Sequence, residues 1–333
     1  MTDQIGPYTI RDLLGEGGFS QVYRAYSPRR REMVALKLLH PAVTQSEEGR
    51  QRFLREVVVA RRLRHRHVVP VYEAGIADGR AFLAMRLMGG GTPASRLNNT
   101  PVIDWNCAAK GMRHTAAALD HARHMGVFHR DIKPSNIFYY DDDRRLVCLG
   151  DFGLSKVRGL STVTRPGEVI GSVYYMAPEQ VRGLIYTTER SDVYSLGVVL
   201  YEMLTGRVPF RGQSQAGILH AIMTADPPRP RLYNDKITPE MERVIMRALS
   251  KQPERRPATA GALAAAFQST LPDRPRKSPA PQRARHPKGR GGVAARSVPT
   301  NVPTNVPTTQ RPEFWIAILG MLALLLIILY VAG

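Results

Sequence analysis

The apolar pattern of this 333-residue chain changes period once, and that change limits the folds open to it. Over about the first 85 residues the pattern is that of strands around one helix. Tyr8-Thr9-Ile10 opens a strand, Val22-Tyr23-Arg24-Ala25 alternates, and residues 33–39 form a buried strand that carries a lysine, Lys37. Residues 50–63 have helical spacing, with Phe53, Leu54, Val57 and Val58 apolar. After about residue 100 the chain reads mainly as helices, at 104–125, 191–205, 213–223 and 239–249. The expectation is an α+β chain in which a small sheet-rich part precedes a larger helical one.

The chemistry concentrates in short polar runs within this frame. His129-Arg130-Asp131-Ile132-Lys133-Pro134-Ser135-Asn136 puts a carboxylate, a lysine and an amide carbonyl on one loop. A second carboxylate follows in Asp151-Phe152-Gly153, fifteen positions after Asn136. Phosphoryl transfer needs that set: a group that orients a hydroxyl, a cation for the moving phosphate, and hard oxygen ligands for magnesium. Near the N-terminus, Leu14-Gly15-Glu16-Gly17-Gly18-Phe19-Ser20-Gln21-Val22 lies between two strands. Its glycines let backbone N–H groups approach phosphate oxygens with no Cβ in the way. Alone, that run reads equally well as a glycine-rich hairpin turn. Lys37 shifts the balance, because a lysine in an apolar strand is costly unless it is paired.

Together these strings, HRDxKxxN and DFG with the glycine-rich run and Val34-Ala35-Leu36-Lys37, resemble the protein kinase family over about residues 8–271. The resemblance is to its bacterial serine/threonine members. It implies the two-lobed kinase fold, with a β-rich N-lobe at about 8–88 and a helical C-lobe at about 89–271. It implies that residues 14–22 cover the phosphates of ATP, and that Lys37 contacts its α and β phosphates. It implies that Glu56 on the first long helix positions that lysine. Asp131 is the expected catalytic base or hydroxyl-orienting group, with Lys133 neutralising charge on the γ-phosphate. Asn136 and Asp151 are the expected ligands of Mg²⁺, with Mn²⁺ an alternative.

The family's pattern also assigns supporting roles. Gly171-Ser172-Val173-Tyr174-Tyr175-Met176-Ala177-Pro178-Glu179 resembles the Ser/Thr-type segment, with Ser172 in place of the usual threonine. Lys133 and Ser172 favour Ser or Thr acceptors in protein substrates. Glu179 is expected to pair with Arg256, and Asp192 to hold the catalytic-loop backbone. Arg130 is the expected docking point for a phosphate on residues 151–179, with Thr164 the first-choice phosphorylated residue over Ser161 and Thr162. Two positions depart from the pattern. Ser20 stands where the third glycine is usual, which leaves ATP binding intact. Arg86 replaces a commonly acidic residue in Met85-Arg86-Leu87-Met88, where adenine would meet the hinge backbone.

The two cysteines, Cys107 and Cys148, form no CxxC pair, so a disulfide scaffold or zinc site is not expected and a reducing compartment fits. The formal charge is +19. It follows no aromatic-interleaved stripe and no nucleic-acid motif, so nucleic acid is not an expected partner. Residues 272–313 carry nine Lys/Arg against two acids and repeat Val-Pro-Thr-Asn from Val298. They read as a disordered Pro/Arg-rich tether beside anionic lipid. Residues 314–331 are uncharged and nearly all apolar, with Trp315 and Tyr330 at the ends. As a helix these 18 residues reach roughly 27 Å, enough for a hydrocarbon core.

The reading is a single-pass membrane protein with a cytoplasmic kinase domain and its C-terminus outside. No signal peptide and no extracellular domain are expected. A tether that concentrates kinases on a membrane would favour self-association and phosphorylation in trans. The rival readings are a pseudokinase scaffold, against which the full set Lys37, Glu56, Asp131, Asn136 and Asp151 argues, and a basic membrane- or nucleic-acid-binding adaptor.

Overall fold

The computed structural model describes residues 4–17, 20–41, 45–141, 146–152 and 170–272. The chain divides into a unit of residues 1–274 and a second unit of 275–333. The second unit, with the expected tether and the 314–331 span, lies outside the described residues. Among the described residues no helix is long and apolar enough to cross a membrane.

The N-terminal part is a six-stranded antiparallel sheet, built from β1 (Gln4–Ile5), β2 (Tyr8–Gly17), β3 (Ser20–Ser27), β4 (Glu32–Leu39), β5 (Val71–Ala77) and β6 (Arg80–Arg86). Its strand order is β1-β2-β3-β4-β6-β5. The β5–β6 hairpin turns on Asp78 and Gly79, with φ of 51° and 71°. Both central residues in the left-handed region make the turn whose twist matches its strands, which is what an Asp-Gly pair supplies. β4 is central and buried on both faces. Val34, Leu36 and Leu38 join Tyr8, Ala25 and Phe82 on one face. Leu39 packs with Phe53, Val57 and Leu83 on the other. Side chains alternate along a strand, so Lys37 points to the same side as Leu39.

Helix α1 (Glu47–Arg62) crosses that second face. Ser46 caps it by accepting from the Gly49 N–H at 3.0 Å, and Glu47/Glu48 and Arg61/Arg62 complement its dipole at the two ends. Of the four apolar positions expected from the sequence, Phe53 and Val57 are buried whereas Leu54 and Val58 are 40% and 48% exposed.

The C-terminal part contains α2 (Pro93–Leu97), α3 (Trp105–His124), the hairpin β7 (Ile137–Tyr139) and β8 (Val147–Leu149), then α4 (Ile170–Val173), α5 (Pro178–Arg182), α6 (Glu189–Thr205), α7 (Gln215–Thr224), α8 (Pro239–Ala248) and α9 (Ala260–Gln268). α6 is buried almost all round, and α3, α8 and α9 pack on it through one continuous core. A Cβ on Gly197 of α6 would come within 2.8 Å of the Ala248 Cβ, so the close approach of α6 and α8 requires glycine there.

One buried ion pair locks this core to the segment after the site. Arg256 donates to both Glu179 carboxylate oxygens, at 2.6 and 2.9 Å, and to the carbonyls of Ser250, Lys251 and Arg190. Ser191 adds a third donor to Glu179 at 2.6 Å. These donors, against the opposing effect of burial, hold the Glu179 carboxyl below its usual range. Arg256→Ala leaves a buried carboxylate uncompensated and should cost about 3–5 kcal/mol of unfolding free energy in urea denaturation. Replacing both residues by Met should cost clearly less. Equal losses in the single and double variants would rule out this account.

Candidate active site

Strand pairing sets the geometry of the sheet-borne half of the site. Gly15 pairs with Val22 across β2–β3, and Val22 pairs with Lys37 across β3–β4. The glycine-rich hairpin is therefore rooted one strand from the lysine. A Cβ at Gly15 would meet nothing within 4 Å, so the space over that strand is open. Glu16 accepts from the Gln21 amide at 3.0 Å across the hairpin, and Leu14 is 50% exposed. Gly17 pairs with Ser20, while Gly18 and Phe19 lie outside the described residues.

Lys37 is only 5% exposed, and its ammonium bonds Asp151 Oδ1 at 2.8 Å. That pair ties β4 to the segment after β8, residues separated by 114 positions. Glu56 is on α1, but its side chain lies outside the described residues. Asp151 has φ 62° and Arg130 has φ 65°, both left-handed. A non-glycine residue held there costs on the order of 1–3 kcal/mol, so surrounding contacts must impose it.

At Arg130 those contacts come from α6 and α5. The Asp192 carboxylate, at the start of α6, accepts the backbone N–H groups of His129 and Arg130 at 2.8 and 2.9 Å. Burial pushes the Asp192 carboxyl up, against the two donors that favour its charge. Gln180 of α5 donates to the Arg130 carbonyl at 3.0 Å and accepts from the Ala177 N–H at 2.9 Å. The Asp131 N–H donates to His129 Nδ1 at 3.3 Å, which leaves His129 Nε2 to donate to the Gly150 carbonyl at 2.7 Å. The His129 ring also meets Phe152 edge-on at 4.6 Å.

The catalytic loop converges on this scaffold. Asn136 Nδ2 donates to the Asp131 carbonyl at 2.8 Å and to its Oδ2 at 3.2 Å. Lys133 Nζ lies 3.2 Å from Asp131 Oδ2 and donates to Ser172 Oγ at 2.8 Å. The Gly150 N–H donates to the Asn136 carbonyl at 2.9 Å, which brings Asp151 beside this cluster. Of the residues expected from sequence, Lys37, Asp131, Lys133, Asn136, Asp151 and Ser172 thus form two linked sets. Ser161, Thr162 and Thr164 lie outside the described residues. Gln180 was not singled out from the sequence. Its neighbour Glu179 was the only local signal, and its bond to Arg130 spans 50 positions.

The donor atoms suit a nucleotide with a hard divalent cation. Asp151 and Asn136 offer a carboxylate and a carboxamide, and magnesium characteristically takes one or two such ligands with phosphates and water. Among the described residues no group of three or more His, Cys, Asp or Glu is placed to hold a metal by itself.

A sheet-rich lobe carrying a buried lysine, joined to a helical lobe carrying this loop, defines a protein kinase. A family model described as the protein kinase domain matches residues 8–268. Serine/threonine-protein kinase PknE of Mycobacterium tuberculosis is 37% identical over 268 residues, covering 80% of this chain and 47% of PknE. The crystal structure of the M. tuberculosis PknI kinase domain aligns with a TM-score of 0.64 at 26% identity, over 80% of this chain and 98% of that one. Rad53 1-466 in complex with AMP-PNP aligns with a TM-score of 0.65 at 25% identity, over 78% of this chain and 64% of that one. The chain belongs to the protein kinase family, among bacterial serine/threonine-protein kinases. It spans about half the length of the curated relatives it matches.

Proposed function

We propose that this chain transfers the γ-phosphate of ATP to Ser or Thr hydroxyls of proteins. The observation that carries the reading is the Asp131–Lys133–Ser172 set, a carboxylate and an ammonium fixed 3.2 Å apart with the ammonium held by a hydroxyl. Asp131 orients the acceptor hydroxyl and takes its proton late in the transfer. Asn136 fixes that carboxylate through its Nδ2 bond. Lys133 stands where charge accumulates on the transferring group, and its compact ammonium, already held in place, stabilises that charge without reorganising. Lys37 and residues 14–22 hold the α and β phosphates. Asn136 and Asp151 hold Mg²⁺, which when bound neutralises phosphate charge. The Lys37–Asp151 pair keeps the two groups' charges balanced and holds them 2.8 Å apart. The AMP-PNP complex of Rad53 supports the nucleotide part of the reading.

We also propose that residues 272–313 tether the kinase domain to a membrane crossed by 314–331, and that Thr164 is autophosphorylated with a gain in activity. The support is the sequence: an uncharged 18-residue apolar run after a basic tether, and Arg130 beside the catalytic Asp131.

Asp131→Asn should lower the rate of labelled-phosphate transfer to a generic basic protein by about 10²–10⁴-fold with magnesium present. Transfer by the variant at the wild-type rate refutes the phosphotransfer reading. Mass spectrometry of the active protein should find phosphate within residues 155–172, foremost on Thr164, and a bare segment there sinks that part. The full chain should sediment with membranes in high salt, whereas a chain ending at residue 271 should not. A soluble full chain removes the anchor.

A further inference from the structure

Four imidazoles stack in a row where the loop after α1 meets α3. His121 stacks on His65 with centroids 5.0 Å apart, His65 tilts against His67 at 5.4 Å, and His67 stacks on His114 at 4.1 Å. His114 and His121 are two turns apart on one face of α3, and the loop lays His65 and His67 between them.

This stack grips β8 by its backbone. His67 Nδ1 meets the Val147 carbonyl at 2.9 Å, and the Val147 N–H donates to His114 Nδ1 at 3.3 Å. These bonds fix the tautomers: His67 carries its proton on Nδ1, and His114 keeps Nδ1 bare. His65 Nδ1 is also an acceptor, taking the His67 N–H at 3.3 Å. The same loop pairs directly with β8, since the Leu149 N–H donates to the His67 carbonyl at 2.8 Å and the Val69 N–H donates to the Leu149 carbonyl at 2.9 Å. Two residues beyond Leu149 is Asp151, bonded to Lys37.

The charged surroundings all oppose protonation. Arg66 of the loop and Arg113 and Lys110 of α3 act on His67 or His114, and Arg66 acts on His65. From β8 the Cys148 thiol reaches the Arg66 carbonyl at 3.5 Å, and burial pushes that thiol up to about 11. No carboxylate acts on these three imidazoles among the described residues; Asp142 and Asp143, between β7 and β8, lie outside them. Burial lowers the affinity of His65 and His67 for a proton, at His67 against the Val147 carbonyl, which favours the charged ring, and takes His114 down to about 4.

We propose that the His121–His65–His67–His114 stack is an acid-sensitive clamp that holds β8, and with it Asp151, in the site only while His65, His67 and His114 are neutral. A proton on His114 Nδ1 turns an acceptor into a donor aimed at the Val147 N–H and sets a cation beside Arg113 and Lys110. The sign follows from linkage. His65, His67 and His114 bind protons more weakly when clamped than when released, where the ordinary value is about 6.5. Clamping is therefore unopposed above about pH 6.5 and weakens as pH falls below it, by up to tenfold per pH unit for each fully shifted imidazole.

The test uses the full chain and His67→Asn with His114→Asn, which keep a donor and an acceptor near Val147 but cannot titrate. His220→Asn, an exposed histidine of α7, is the control. Wild type and control should lose melting temperature and, reversibly, at least about fivefold in phosphate transfer between pH 7.5 and 5.5, and the double variant less than about twofold. The same acid loss in the double variant overturns the proposal. Should that variant not fold, NMR titration of the wild-type imidazoles decides: His67 and His114 titrating near 6.5 in the folded protein overturn it, and values well below support it. The activity arm rests on the phosphotransfer reading. Absence of transfer at every pH would defeat that reading alone, because melting and titration still judge the clamp.

Discussion

The site depends on one carboxylate that never meets a substrate. Asp192, buried at the start of α6, accepts two consecutive backbone N–H groups and so imposes the left-handed turn at Arg130. That turn decides where Asp131, Lys133 and Asn136 point. α6 can serve as an anchor because it is buried nearly all round and cannot shift without repacking α3, α8 and α9. The Glu179–Arg256 pair extends the same anchoring to α5, whose Gln180 reaches back to the Arg130 carbonyl. Reactive groups thus sit on a loop, but a loop fastened at each turn to rigid helix.

The other half of the site is positioned by strands. Lys37 is placed by its register on β4, Asp151 by its distance from β8, and the two meet at 2.8 Å. β8 is held from one side by its hairpin with β7 and from the other by the loop of residues 65–69. That loop is covalently continuous with α1 and β5. The sheet-rich lobe that carries Lys37 and the segment that carries Asp151 are therefore joined by backbone pairing as well as by their ion pair, beside stacked imidazoles.

Much of this was legible in the sequence because it is local. The ends of the expected helices fell within three residues of their places, with Ser46, Asp104 and Thr238 as side-chain caps, whereas α9, capped by Thr259, was not among the expected helices. The functional strings were legible as strings. Periodicity did not say which apolar residue of Phe53-Leu54 or Val57-Val58 faces the core, because neighbours on a helix differ by 100° and both members are apolar. The histidine stack was invisible for a different reason. Its members are 47 to 56 positions apart across the stacked pairs, and nothing local marks an imidazole as the partner of a distant one. The clamp of Asp192 on His129 and Arg130 spans more than 60 positions and was reached only through the family pattern.

The connection between the lobes has a mechanical character of its own. The Gly89 and Gly90 N–H groups donate to the Tyr140 and Tyr139 carbonyls, and the Tyr139 N–H donates to the Gly91 carbonyl. A Cβ on Gly90 would lie 2.1 Å from the Asp141 carbonyl oxygen, so the two backbones are as close as glycine permits. Residues 89–91 are thus riveted to the helical lobe and rotate with it. Met85 and Arg86 end β6 and rotate with the sheet. Any rocking of one lobe against the other is left to the peptide bonds around Leu87 and Met88, a pivot two residues long lying along the edge where the purine would rest. A nucleotide bonded to that stretch would sit on the axle itself, and would feel lobe motion as a twist rather than as a displacement.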